Sequence, residues 1–269
     1  MEVYLLYLAL GLLAGFVGGL FGLGGGVIIV PLLIIAFSAQ QFDPAVLTHL
    51  AIGTSLATIV VTSINATWVH HRRQAVEWGV FKKLAPGIAV GALAGGLVAS
   101  YLSGVILQLV FGVLMVAVAM QAGFGVKPHA HREVPGWLGN SFAGTSFGML
   151  SAIFGIGGGS LTTPYLLWCN VPIHRAIATS AACGLPIGLF AAMSFMVAGW
   201  EEELPVGSLG FIYLPALLGI SLAAMISVRW GAALAHRLPG ATLKRWFALV
   251  IFALGVRFIW INLVELWGG

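Results

Sequence analysis

The sequence predicts an all-α polytopic membrane protein made of two inverted-topology repeats. Three observations predict this class: a composition too apolar for a soluble fold, a duplicated glycine-rich motif, and a one-sided distribution of Lys and Arg. Of the 269 residues, 60% are hydrophobic and 7% are charged, and the mean hydropathy is +1.04. Because ordinary soluble domains carry about 25% charged residues, we expect this chain to span a lipid bilayer along its whole length.

A glycine-rich motif occurs twice. The block Phe21–Gly26 (FGLGGG) is followed five residues later by Pro31, and the block Phe154–Gly159 (FGIGGG) is followed five residues later by Pro164. Equal spacing of a rare motif within one chain indicates a duplication.

Two further pairs of blocks follow in the same order. His49–Ser55 and His174–Ser180 share five of seven residues, and a weaker pair shares spaced Leu, Gly and Phe residues within 102–111 and 238–247. The sequence therefore predicts a first transmembrane repeat and a second one, joined by a polar cytoplasmic linker. Their ranges are 1–126 and 137–269, with the linker at 127–136.

Each repeat opens with an apolar segment that is too long for one span. Tyr4–Phe37 and Trp137–Asn170 each hold 34 residues, which would extend about 51 Å as a single helix. The glycine block interrupts each segment near its middle, so we expect two helices that form either a re-entrant hairpin or two short crossings. Three transmembrane helices of ordinary length follow in each repeat, at 47–69, 80–101 and 104–125, and at 176–200, 209–234 and 243–267.

The number of crossings predicts inversion, and the basic residues agree with it. A hairpin or a pair of short crossings leaves each repeat with an odd number of membrane crossings. Of the twelve Lys and Arg residues, all except Arg257 then lie on the cytoplasmic side, as the positive-inside rule requires. The same arrangement places both termini, Asp43 and the acidic run Glu201–Glu203 outside the cytoplasm. Because the first basic residue is Arg72, no cleaved signal peptide is expected.

The two glycine blocks are candidates for a substrate site. Within hydrocarbon, non-helical backbone is tolerated only where it is buried in protein or lines a wet cavity, and a helix that starts after such a loop offers unpaired N–H groups to an anion. We expect the two loops to meet and to form a compact anion site. Its glycines are Gly24, Gly25, Gly26, Gly157, Gly158 and Gly159. Close helix packing is the alternative, and it is the role we expect for Gly91, Gly95 and Gly96.

Hydroxyl groups near these loops are further candidates. Thr54 and Ser55 match Thr179 and Ser180 in the duplicated block, and Ser160 follows the second glycine block. Such hydroxyls could cap a helix, bond across helices or donate to a substrate oxyanion, and the sequence leaves these roles open.

Three ionisable residues near or within spans are also candidates. His49 and His174 could relay protons in coupled transport or could hold interfacial structure. Arg257 lies well inside a span, where it could attract an anion or bond to a helix carbonyl.

Several other functions are disfavoured. Val27 and Ser160 stand where a dinucleotide fingerprint needs its third glycine, and Cys169 and Cys183 have no metal-ligand spacing. We therefore expect no cofactor and no metal. The basic residues lie in short loops between apolar segments, which argues against nucleic-acid binding. No nucleophile or acid–base cluster points to an enzyme.

The doubled F-G-x-G-G-G-x4-P blocks, the A-I-[GA]-T-S blocks after them and the four-segment halves resemble the TauE/SafE family of sulfite exporters, also called TSUP transporters. The resemblance covers nearly the whole chain. It implies transport of small sulfur-containing anions, such as sulfite, sulfoacetate and related organosulfonates, across the bacterial cytoplasmic membrane. Carried over residue by residue, it points to the glycines and hydroxyls above but not to Arg257 or the histidines. We expect an alternating-access carrier that exports its substrate, with an anion channel or an importer of another small anion as the alternatives. Which anion is carried, the direction of transport, the coupling ion and the oligomeric state stay open.

Overall fold

The protein is helical throughout the residues that its structure, a computed structural model, describes. These residues are 2–21, 26–124, 134–235 and 240–268. Within them lie ten α-helices and no β-strand, apart from one isolated bridge between Ser208 and Tyr213. The prediction of an all-α polytopic protein is confirmed.

The first half contains five helices. They are α1 (Glu2–Phe21), α2 (Gly26–Ala39), α3 (Pro44–Arg72), α4 (Trp78–Tyr101) and α5 (Gly104–Phe124). The second half repeats the pattern with α6 (Trp137–Phe154), α7 (Thr162–Trp168), α8 (Ile173–Ala198), α9 (Leu214–Ala235) and α10 (Gly240–Gly268). Each long apolar segment thus yields two helices, as predicted. Most of the linker, at 127–133, lies outside the described residues.

Six of these helices are long and apolar enough to cross a bilayer. They lie at Val3–Leu20, Pro44–Arg72, Trp78–Tyr101, Gly104–Gln121, Ile173–Ala198 and Leu214–Gly231. On α9, Leu218, Leu222 and Ile226 follow one another at helical spacing and are each more than half exposed. Exposed leucines in such a row would be costly in water but are stable against lipid chains.

The two halves interleave rather than form side-by-side domains. Helix α1 packs along α9 and α6 packs along α4, while α3 packs on α8 and α5 packs on α10. Four of the five helices of the first half therefore have their main partner in the second half, whereas α2 packs mainly on α3 of its own half. This reciprocal pattern is what a pseudo-twofold axis between two repeats produces.

Glycines allow the tightest of these contacts. A Cβ atom at Gly91 would overlap the carbonyl oxygen of Thr145, and one at Gly95 would overlap that of Met149. At Gly96 a Cβ atom would lie 2.6 Å from the Cβ of Ser194. The packing role predicted for these three glycines is thus observed.

The bundle has two chemically distinct ends. We call the end with Asp43 and Glu201–Glu203 the acidic end, and the end with Arg72, Arg73 and Arg175 the basic end. The Tyr7 hydroxyl donates to Gln40 Oε1 (3.1 Å), which places the start of α1 beside the end of α2 at the acidic end.

The first helices of the two halves begin at opposite ends of the bundle. Ser141 of α6 donates its hydroxyl to the Lys83 carbonyl (3.2 Å), so α6 starts beside the start of α4 at the basic end. Since α1 starts at the acidic end, α1 and α6 have the relation that inverted repeats require. Inversion across a bilayer stays a prediction.

Candidate functional site

The break after α6 lies in the interior of the bundle. Gly155 ends α6 with φ +64° in the left-handed region, and the N–H of Ile156 donates to the Ser151 carbonyl (3.0 Å), which closes the helix end. Residues 155–158 are all buried. A Cβ atom on Gly155 would lie 2.8 Å from Cγ2 of Val30 on α2, so both the backbone angle and the space favour glycine here.

The described edge of the first glycine block touches the second block. Gly26 begins α2, and a Cβ atom there would lie 2.8 Å from the Gly155 carbonyl oxygen and 2.9 Å from Cα of Ile156. The chain therefore brings Gly26 and the second block together. Gly24 and Gly25 lie outside the described residues.

Gly157 and Gly158 sit between the middles of α3 and α8. The nearest atom to a Cβ on Gly157 would be Cγ2 of Ile59, at an ordinary contact distance of 3.6 Å. A Cβ on Gly158 would instead lie 2.5 Å from the Ser180 carbonyl oxygen and 3.0 Å from the backbone nitrogen of Gly184. Gly158 therefore supports close packing, whereas Gly157 leaves room for a side chain.

The duplicated Thr-Ser pairs make bonds that join different parts of the fold. Ser55 donates its hydroxyl to the Gly155 carbonyl (2.9 Å) and so holds the glycine loop against α3. The Thr54 hydroxyl accepts a bond from the Tyr213 N–H (2.9 Å), and the Thr179 hydroxyl accepts one from the Glu77 N–H (2.9 Å). Of the roles left open by the sequence, the structure shows bonding to backbone for these three hydroxyls.

Ser180 and Ser160 have different surroundings from these three hydroxyls. The hydroxyls of Ser180 and Thr163 are 2.6 Å apart, and Ser180 also donates to the Ile177 carbonyl (3.1 Å). Ser160 is half-buried, directly after Gly159.

A cavity of about 430 Å³ opens beside the glycine loop. Five helices, α1, α2, α3, α8 and α9, line it together with Gly157, Gly158 and Gly159. Ser180 also contributes to the lining, and the cavity extends along α3 as far as His70 near the basic end. Thr54, Ser55 and Thr179 are not part of the lining.

The predicted ionisable residues lie away from this cavity. His49 is buried at the acidic end, where its Nε2 lies 3.0 Å from the Leu102 carbonyl oxygen and its ring stacks on Phe211. His174 is exposed at the start of α8, and Arg257 is exposed on α10. The structure does not bring these three residues together with the glycine loop.

Sequence reasoning missed four polar cavity residues on the second half of α3. They are Thr62, Ser63, Asn65 and His70. Matching the repeats identifies residues that both repeats share, whereas these four positions hold different residues in the two repeats. Polar residues that recur at helical spacing inside an apolar span were the available signal.

Comparisons with known proteins agree over nearly the whole chain. The profile of the family described as sulfite exporter TauE/SafE matches residues 7–258. A relative from Haemophilus influenzae, named "Probable membrane transporter protein", is 37% identical over 94% of this chain and 96% of its own length. The Bacillus subtilis protein named "Probable membrane transporter protein YunE" is 25% identical, with 96% and 97% covered. No solved structure matches the chain.

Proposed function

The chain belongs to the sulfite exporter TauE/SafE family, and from that premise we propose that it exports small sulfur-containing anions, such as sulfite, sulfoacetate or related organosulfonates, across the bacterial cytoplasmic membrane. Its relatives named as membrane transporters support transport rather than enzymatic chemistry. The observation that carries the site assignment is a glycine loop at the centre of the bundle that lines a cavity.

The glycine loop offers suitable donors for an oxyanion. Within the described residues, the backbone N–H groups of Gly157 and Gly158 make no hydrogen bond. The Ser180 hydroxyl lies on the same cavity wall; it donates to the Ile177 carbonyl in this structure and would turn from it to donate to a substrate oxygen. Hydrogen bonds from such donors to an ionised oxygen are stronger than neutral ones and become stronger still away from water. We therefore place the sulfonate or sulfite oxygens at Gly157–Gly159 and Ser180, with Gly24–Gly26 completing the site.

The ends of the bundle fit one state of an alternating-access cycle. At the acidic end, the rings of Phe37 and Phe42 stack at 5.0 Å, and Tyr213 meets both edge-on at 5.7 and 5.3 Å. This aromatic packing closes the bundle there, whereas the cavity extends toward the basic end. In our proposal the inverted halves rock about the glycine loops, and the basic end faces the cytoplasm.

The test is uptake of radiolabelled sulfite and sulfoacetate into proteoliposomes. The key variant is Gly157→Leu, because a side chain at Gly157 projects toward Ile59 and fills cavity space without a backbone clash. Gly79→Leu is the matched control, because no atom lies within 4 Å of a Cβ at that position. We expect saturable transport by the native chain and by Gly79→Leu, and a loss of about tenfold or more for Gly157→Leu.

Two results would contradict the proposal. If a folded Gly157→Leu variant shows the same saturable transport as the native chain, the glycine loop is not part of the substrate site. Flux far above the turnover of a carrier, without saturation or counterflow, would show that the protein is an anion channel.

A further inference from the structure

One buried hydroxyl in the cavity has no partner. Ser63 on α3 is only 8% exposed and lines the cavity, and its hydroxyl makes no hydrogen bond to any described residue. A Cβ atom at Gly184 on α8 would overlap this hydroxyl, so the glycine at 184 is what leaves room for Ser63. Because Ser63 lines the cavity, water or a ligand there can bond to its hydroxyl.

Two more polar side chains continue from Ser63 toward the basic end. Asn65 and His70 both line the cavity, and neither side chain makes a hydrogen bond to another described residue; His70 lies on the same face of α3 as Ser63, whereas Asn65, two residues from Ser63, lies on a different face. Thr62 differs, because its hydroxyl donates to the Thr58 carbonyl (3.1 Å) within its own helix. We call Ser63, Asn65 and His70 the α3 lane.

The α3 lane occurs in one repeat only. At the spacing that separates His49 from His174, the counterparts of its three members on α8 are Gly188, Phe190 and Phe195. Phe195 is fully buried and meets Phe211 edge-on, with ring centroids 6.4 Å apart. The packing of α3 and α8 in the duplicated halves therefore does not by itself require polar residues at these positions.

We propose that the α3 lane binds the oxyanion as it enters from the basic end, before it reaches the glycine loop, and that Asn65 is one of its donors. This inference rests on the proposed function, because it places the first substrate-binding step of the proposed transport pathway at the α3 lane. The Ser63 hydroxyl, the Asn65 amide and a ring nitrogen of His70 each donate a hydrogen bond to substrate oxygen. A carboxylate in place of the Asn65 amide would repel that oxygen.

The test compares Asn65→Asp with Gln74→Asp. Gln74 is exposed in the turn after α3, so the control adds the same charge at the same end without entering the cavity. In proteoliposomes at neutral pH, Asn65→Asp should raise the KM for sulfite about tenfold with little change in maximal rate, and Gln74→Asp should change neither. The ratio of the Asn65→Asp KM to the native KM should fall toward one as the medium is acidified and the new carboxylate is protonated.

Equilibrium binding of sulfite to the purified, detergent-solubilised protein separates the two proposals. Transport by the native chain with an unchanged KM in Asn65→Asp would overturn the lane and leave the proposed function standing. If the native protein binds sulfite without transporting it, and Asn65→Asp weakens this binding, the α3 lane is supported and the transport function is overturned. Absence of both binding and transport would overturn both.

Discussion

The hydroxyl oxygen of Thr54 accepts a hydrogen bond from the backbone N–H of Tyr213 at 2.9 Å, directly before α9. Thr179 makes the reciprocal bond with the N–H of Glu77, directly before α4, at the same distance. A threonine from each half thus caps the entry of a helix in the other half, at opposite ends of the bundle. These bonds lie where α3 and α8 would move against the neighbouring helices in a rocking motion.

Thr54→Val should destabilise the protein by about 1–3 kcal/mol, because it keeps the shape of the side chain and leaves the buried Tyr213 N–H unpaired. Thr179→Val should cost less, since the Glu77 N–H is only partly buried and can bond to water. The measurement is the free energy of unfolding in detergent. Thr54→Ser is the control that retains the oxygen, and an equal loss in Thr54→Ser and Thr54→Val would show that the lost bond is not the cause.

The sequence predicted these threonines as a repeated pair but left their role open, for a physical reason. Tyr213 is far from Thr54 along the chain, and only the interleaved packing of the halves brings its N–H to the hydroxyl. The helix breaks were easier to predict, because segment length and glycine position determine them locally. Ser63 and Asn65 were missed, because a cavity between five helices depends on which helix faces pack together.

Helix α6 is a case in which hydropathy and the internal repeat give different predictions of a membrane helix. It is not among the six candidate spans, because polar residues such as Asn140, Ser141 and Thr145 lower its hydropathy. These groups are satisfied inside the bundle; the Thr145 hydroxyl, for example, donates to the Ser141 carbonyl (3.0 Å). The apolar segment Trp137–Asn170 with its central glycine block, together with the match to the first repeat, predicted this helix.

Gly91→Ala should destabilise the contact between α4 and α6 by about 1–3 kcal/mol or more, because the added methyl group overlaps the Thr145 carbonyl on the facing helix. Gly79→Ala on the same helix meets no neighbour and should be neutral, or stabilising by at most about 1 kcal/mol through helix propensity. Thermal unfolding in detergent compares the two. Similar midpoints for both variants would contradict the close approach of these helices.

Ser55→Ala should loosen the glycine loop, because it leaves the buried Gly155 carbonyl without the hydroxyl that bonds to it. We expect a loss of about 1–3 kcal/mol in unfolding free energy and faster amide hydrogen exchange at residues 156–158. Ser146→Ala is the matched control, since that hydroxyl bonds only within its own helix, to the Phe142 carbonyl. Unchanged exchange at the loop in Ser55→Ala would mean that packing alone holds it.

Val3→Cys and Gly136→Cys should react with a membrane-impermeant maleimide from opposite sides of the membrane. The two positions are separated by the same spacing as Phe21 and Phe154, and each lies at the start of the first helix of its repeat, so inversion alone decides whether they share a side. The background would replace Cys169 and Cys183, which are both buried.

Glu202→Cys and Gln74→Cys provide the references for this labelling. Glu202 lies at the acidic end, where α1 begins, and Gln74 lies at the basic end, where α6 begins. Val3→Cys should therefore label with Glu202→Cys from outside the cell, and Gly136→Cys with Gln74→Cys from the cytoplasm. Labelling of Val3→Cys and Gly136→Cys from the same side would contradict the inverted arrangement, because two repeats in the same orientation begin on the same side of the bilayer.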